Sequence, residues 1–218
     1  MHNFIHYQIK NNSFLLSGSR CIFWEEEKAL ILSDLHLGKS GHFRKSGIAV
    51  PQRVFKEDIH RLIEVIQYFK PTSMVIVGDL FHSHVNMEMD FFLKWRTDFS
   101  SLPMHLVIGN HDILKKEWYQ TATINCCHDS LQIGEFIFTH DITLYKGALS
   151  GPYIFTGHIH PSITINGLGK QTLRLPCFYF GKEYAVLPAF GKFTGTHSIT
   201  PEKGSAVFAL HDNKILRV

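Results

Sequence analysis

The sequence predicts an α/β domain built from two packed β-sheets with helices on the outside. Three observations lead there. Between residues 29 and 112, short apolar runs alternate with longer amphipathic stretches, the strand–helix–strand–helix–strand order of a parallel sheet with crossover helices. From residue 124 onward the apolar runs are short, closely spaced and punctuated by glycine, with little helix between them, as in a second, antiparallel or mixed sheet. Polar residues able to bind metal stand at strand ends in both halves, so both halves belong to one domain, residues 1–218.

The elements follow in order. Residues 4–9, 13–16 and 21–24 read as short strands of a meander, separated by Asn11-Asn12 and Ser17-Gly18-Ser19. The apolar run 29–32 reads as a buried strand, and it breaks into Ser33-Asp34-Leu35-His36-Leu37-Gly38. The following loop, 38–50, carries three glycines and the basic residues Lys39, Arg44 and Lys45. Pro51 suits the first turn of a helix whose Phe55, Ile59, Leu62, Ile63, Ile66 and Phe69 recur at helical spacing, and Pro71 closes it. A second buried strand, 74–77, runs into Gly78-Asp79. After a loop to Asn86 a helix is expected through about Phe99, then a third strand, 105–108, running into Gly109-Asn110-His111-Asp112. Strands are expected in the second half at 124–127, 131–133, 135–139, 153–156, 162–165, 172–180, 184–188, 206–210 and 215–218.

Composition bounds the function. With 218 residues and 44% hydrophobic content, the chain can bury a full core. A net charge of +3 is a mild basic bias, compatible with a polyanionic partner without requiring one. The four cysteines, Cys21, Cys126, Cys127 and Cys177, have no zinc-ribbon spacing, and the adjacent pair reads as strand or core rather than disulfide. Residues 1–10 lack the pattern of a signal peptide, and no run reaches the roughly 18 apolar residues of a membrane span. The expectation is a reduced, cytoplasmic protein with no membrane partner.

The 15 histidines are an unusual load, and several stand two apart or beside Asp or Asn. Asp34 and His36 leave the first strand; in an extended backbone, residues two apart point to the same side. Asp79 and Asn110 end the second and third strands. His140 ends the run 136–139, and His158 and His160 follow 153–156 with the same two-apart spacing. One polar strand end is usually a turn former or a cap. Five that all end in metal-competent groups point to a shared site. Imidazole, carboxylate and amide oxygen without thiolate suit Mn, Fe, Zn or Ni. Seven donors exceed one four-coordinate ion and suit two ions sharing a carboxylate, the clamp used for phosphoryl displacement.

The ordered motifs Asp34-x-His36, Gly78-Asp79, Gly109-Asn110-His111-Asp112, His140 and Gly157-His158-x-His160 resemble the calcineurin-like metallophosphoesterase superfamily. The resemblance implies a four-layer αββα sandwich, two mixed β-sheets flanked by helices, around two divalent metals, with Mn²⁺ expected first. It assigns Asp34, His36 and His160 to one metal, Asn110, His140 and His158 to the other, and Asp79 to the bridge. The segment Gly38 to Gln52, with Arg174 to Phe178 and Pro188 to Gly191, resembles the bacterial ligase-associated DNA-damage-response endonuclease family PdeM. That implies a phosphodiester substrate, DNA, and a functional association with a DNA ligase and a helicase. His111 would protonate the leaving oxygen or stabilise developing charge, and Asp112 would orient His111 or cap a helix. Lys39, Arg44 and Lys45 would hold a DNA backbone or form a solvated loop. His82 and His84 would line the pocket or stand on an exposed loop, the second being the favoured reading. Two rival functions are a hydrolase of small or lipid-linked pyrophosphates and an inactive scaffold of the same fold.

Overall fold

The structure, a computed structural model, describes residues 3–39, 53–82, 87–147, 151–167 and 171–218. Pro51, His42, His84, Arg44 and Lys45 lie outside the described residues.

The first sheet has seven strands in sequence order: β1 (Phe4–Ile9), β2 (Asn12–Ser17), β3 (Cys21–Trp24), β4 (Ala29–Leu32), β5 (Ser73–Val77), β6 (Met104–Val107) and β7 (Ile124–Cys127). Pairing is antiparallel from β1 to β4 and parallel from β4 to β7, where α1 (Arg53–Phe69), α2 (Met87–Asp98) and the short α3 (Lys116–Thr121) make the crossovers. The parallel strands read as unbroken apolar runs because both faces are covered. In β4, Ala29 and Ile31 face the second sheet while Leu30 and Leu32 face the helices. In β5, Val75 and Val77 face one way, Met74 and Ile76 the other.

The second sheet has nine strands. They are β8 (Leu131–Ile133), β9 (Phe136–Thr139), β10 (Tyr153–Thr156), β11 (Pro161–Asn166), β12 (Thr172–Phe180), β13 (Tyr184–Val186), β14 (His197–Ser198), β15 (Ala206–His211) and β16 (Lys214–Arg217). Its centre is parallel, β10 lying between β9 and β13, and its flanks are largely antiparallel, so the sheet is mixed. Phe14 and Trp24 of the first sheet meet Phe136, Phe138 and Phe155 of the second, with Phe178, Phe180 and Phe208 in the same fully buried layer.

The α1 stripe does what its spacing predicts: Phe55, Leu62 and Ile66 are buried with Val65, and Ile59, Ile63 and Phe69 pack at the margin. Among the described residues the α-helices that join the core sit against the first sheet; the outer face of the second carries the small cluster Cys177, Tyr179, Val186 and Val207. Two elements escape a pattern-based reading. α3 is only six residues long, and β14 is two exposed residues. All four cysteines are free. No helix among the described residues is long and apolar enough to cross a membrane.

Candidate active site

The strand exits of β4 and β5 run side by side and fix each other. The Asp34 N–H donates to Gly78 O (3.0 Å), the His36 N–H to Asp79 O (2.9 Å) and the His82 N–H to Leu37 O (2.9 Å). From the segment that follows β13, the Phe190 N–H donates to Ser33 O and the Gly191 N–H to Asp34 O, which locks the same turn from the other side. Asp34, His36 and Asp79 thus converge. The extended backbone expected between Asp34 and His36 is not what achieves this. Asp34 (φ 53°), His36 (φ 50°), Asp79 (φ 48°), His158 (φ 70°) and His160 (φ 49°) are all left-handed. Such residues cost on the order of 1–3 kcal/mol each and persist only where their surroundings over-determine them, as at functional sites.

Two glycines clear the space. Gly78 is left-handed (φ 80°), and a Cβ there would stand 2.7 Å from His140 Cβ and overlap the imidazole. A Cβ at Gly109 would stand 2.5 Å from the Asp79 backbone nitrogen and overlap its carboxylate. The Gly-Asp and Gly-Asn pairs are therefore spatial requirements of the site.

The side chains form two adjoining ligand groups, Asp34–His36–His160 and Asp79–His140–His158, each with its donor atoms within 4.8 Å of one another. Asn110 Oδ1 joins the second, 3.1 Å from His140 Nε2. Asp79 Oδ2 lies between the groups, 3.7 Å from His36 Nε2 and 3.5 Å from His140 Nε2. All seven expected ligands are therefore in one cluster.

Several features fit cations. Asp34 is fully buried, and its Oδ1 has no hydrogen-bond partner among the described residues; an orphaned buried carboxylate oxygen is costly unless a charge meets it. The His160 Nδ1–H donates to Gly195 O (3.0 Å), which turns an acceptor Nε2 toward His36 Nε2 at 3.2 Å. Two imidazoles bound at about 2.1 Å to one ion at a tetrahedral angle stand about 3.4 Å apart, so this spacing suits a shared ion. His140 Nδ1–H donates to Val77 O, leaving Nε2 for the second group, 3.2 Å from His158 Nδ1.

The electrostatics agree. Burial, reinforced by His160, Lys39 and His82, pushes His36 down to about 2 against the pull of Asp79, so the ring is a neutral donor. Burial works against charge on His140 too, yet its bond to Asp79 and the carboxylates of Asp34 and Asp79 bring it up to about 9. Burial likewise opposes charge on Asp79, but His140, the His111 N–H and His36 hold it down at about 2. A field that keeps a proton on His140 beside ionised Asp79 also favours a divalent cation.

The remaining expected residues are placed as follows. His111 donates its backbone N–H to Asp79 Oδ1 (2.9 Å), and its ring lies 5.3 Å from His36 and 4.4 Å from His82. Asp112 departs from both expected roles. Its two oxygens accept from the Gly109 N–H (2.9 Å) and the Phe81 N–H (3.0 Å), so it ties the β6 exit to the β5 exit, and among the described residues these backbone bonds occupy both oxygens. Burial pushes its carboxyl up to about 7. Lys39 is half-buried; burial lowers its pKa, and the carboxylates of Asp79 and Asp34 oppose that. Arg44 and Lys45 lie outside the described residues.

His82 takes the pocket-lining place rather than the exposed-loop one, and Asp141 gains a partner the sequence did not signal. His82 is no free loop residue: its Nδ1 lies 3.1 Å from His36 Nδ1, and His36, His82 and His111 form a third cluster of potential ligands. Asp141 Oδ2 stands 3.8 Å from His158 Nε2, on the side away from His140. The adjacency His140-Asp141 was the available clue, although nothing in it singled out His158 as the partner.

The structure is similar to the crystal structure of the Pseudomonas putida nuclease MPE, with a TM-score of 0.82 at 23% identity over 99% of this chain and 100% of that one. It is more distantly similar to Yfce, a phosphoesterase from E. coli, with a TM-score of 0.44 at 14% identity over 87% of this chain and 97% of that one. No curated protein sequence matches. The calcineurin-like phosphoesterase family model matches residues 28–181, the stretch from the start of β4 to the end of β12 that supplies every residue of the two ligand groups. The chain belongs to the calcineurin-like phosphoesterase family.

Proposed function

We propose that this chain is a two-metal phosphodiesterase acting on nucleic acid, with DNA the first substrate to test. The observation that carries it is Asp79, whose carboxylate lies between two histidine-rich groups while accepting from the His111 N–H. Asp34, His36 and His160 would hold one cation and Asn110, His140 and His158 the other, with Asp79 shared. Mn²⁺ is the first choice, and Fe, Zn or Ni are compatible with the same nitrogen and oxygen donors. Bound there, two divalent cations polarise the phosphoryl oxygens and lower the pKa of the attacking water.

The chain's own groups do the rest. His111 follows Asn110 directly, and its half-buried ring packs against those of His36 and His82 beside the first group; from there it would donate the proton an alkoxide leaving group needs. His82 supports His36 from behind through the Nδ1 contact. Lys39, with Arg44 and Lys45 from the same loop, supplies positive charge for the backbone phosphates. The resemblance of residues 38–52 to the DNA-damage-response endonucleases supports DNA, a repair setting and an association with a ligase and helicase. The similar Pseudomonas putida protein being a nuclease points the same way.

His111→Ala tests the reading. Hydrolysis of DNA should fall about 10²–10⁴-fold with metal content retained. Bis-p-nitrophenyl phosphate, whose leaving group needs no proton, should lose much less. Equal losses would move His111 from general acid to charge stabilisation, and no cleavage of any phosphodiester by the metal-loaded wild type would end the proposal.

A further inference from the structure

A cavity of about 440 Å³ opens on the second ligand group, floored by Asn110, His140 and His158. This is within the range of about 300–1,000 Å³ usual for small-molecule sites. It lies away from His111, whose ring sits with His36 and His82 at the first group. Its walls are mixed. Ile108, Leu144 and Tyr145 present apolar and aromatic surface, His128 and Lys146 present hydrogen-bonding groups and positive charge, and Asp129 and Asp141 add carboxylates. Leu144 is 74% exposed, an unusual degree for a leucine beside a polar centre. The wall is held in place. Asp141 accepts from the Thr143 N–H (2.9 Å) and hydroxyl (2.7 Å) to cap the one-turn 3-10 helix Ile142–Leu144, and the same carboxylate reaches toward His158. The Tyr145 ring lies over Gly147, where a Cβ would stand 2.9 Å from Tyr145 Cε1.

We propose that this cavity receives the nucleoside on the non-leaving side of the scissile phosphate, its base against Tyr145 and Leu144 and the next phosphate toward Lys146. The inference rests on the phosphodiesterase reading above. In an in-line displacement the attacking and leaving oxygens are opposed across phosphorus and the retained ester arm leaves equatorially, so with the leaving oxygen at His111 the retained arm is free to run along the ligand cluster into this cavity. A bare phosphate or pyrophosphate would use the ligands and leave the aromatic wall idle; a nucleoside uses both. Stacking on an aromatic ring tolerates any base, so the site selects nucleotides over simple esters without reading sequence.

The test compares substrates that share a leaving group. Metal-loaded full-length protein is assayed with the 5′- and 3′-p-nitrophenyl phosphates of thymidine and with methyl p-nitrophenyl phosphate. Wild type should prefer at least one thymidine ester in kcat/KM. Tyr145→Ala should reduce that preference about 5- to 150-fold, the span expected for one stacked base, and Tyr145→Phe should keep it. A wild type without preference, or a Tyr145→Ala variant that loses both substrates in proportion, overturns the assignment. Hydrolysis of none of the esters would instead remove the phosphodiesterase reading. The cavity would then be judged by titration with thymidine 5′-monophosphate, and equal affinity of wild type and Tyr145→Ala would remove it too.

Discussion

Gly78→Ala is the substitution that most directly tests whether the ligand cluster depends on the space between strand exits. Gly78 has φ 80°, and an added Cβ would stand 2.7 Å from His140 Cβ with the imidazole closer still. Two costs add. A left-handed residue with a Cβ costs roughly 1–2 kcal/mol. Forcing a methyl group into a filled site costs roughly 1–3 kcal/mol. The sum, about 2–5 kcal/mol, is a large share of the about 5–15 kcal/mol that holds a typical domain folded. Gly134→Ala isolates the first cost, because Gly134 is also left-handed (φ 55°) but has nothing within 4 Å of its Cβ position. Urea unfolding of both variants should therefore differ by about 1–3 kcal/mol, the clash alone. The functional difference should be larger. His140 can relieve the clash only by leaving its hydrogen bond to Val77 O and its place beside Asp79, so Gly78→Ala should lose bound metal by elemental analysis while Gly134→Ala keeps it. Equal stability of the two variants, or full metal content and turnover in Gly78→Ala, would refute the reasoning.

Three further outcomes are expected. Asp79→Asn should lower bound metal and turnover more than any other single ligand change, because Asp79 lies between both groups; near-normal turnover with His158→Ala inactive would move the bridge elsewhere. Asp112→Ala should destabilise the fold by about 1–3 kcal/mol for each of the two buried N–H groups it strands, read by urea unfolding; wild-type stability would mean that Gly109 and Phe81 find other acceptors. Arg44→Ala with Lys45→Ala should raise KM for DNA and lower the slope of log affinity against log salt by about 0.9 per lost duplex phosphate contact. An unchanged salt slope would leave these two residues a solvated loop.

What the sequence determined by itself is the order of elements and which residues are candidate ligands. Both follow from local chemistry. A strand covered on both faces must be apolar throughout, so 29–32, 74–77 and 136–139 announce themselves, and the polar residue that ends each run stands out. The α1 stripe is equally local, since helical spacing alone decides which side chains meet the sheet. α3 and β14 had no such signal, being too short for periodicity to emerge. The tertiary structure decided three things that spacing could not. The ligand turns are left-handed, a conformation held at Asp34 and His36 by hydrogen bonds donated to Gly78 O and Asp79 O and accepted from the Gly191 N–H, residues distant in sequence from them. His82 belongs to the cluster, and Asp112 holds the backbone rather than His111, because each depends on two strand exits packing side by side. The cavity beside the second group is assembled from segments around residues 108, 128, 145 and 158, and no window of sequence contains it. Side-chain type is written along the chain; the direction in which a side chain points at a strand end is set by what the neighbouring strand offers to hydrogen-bond.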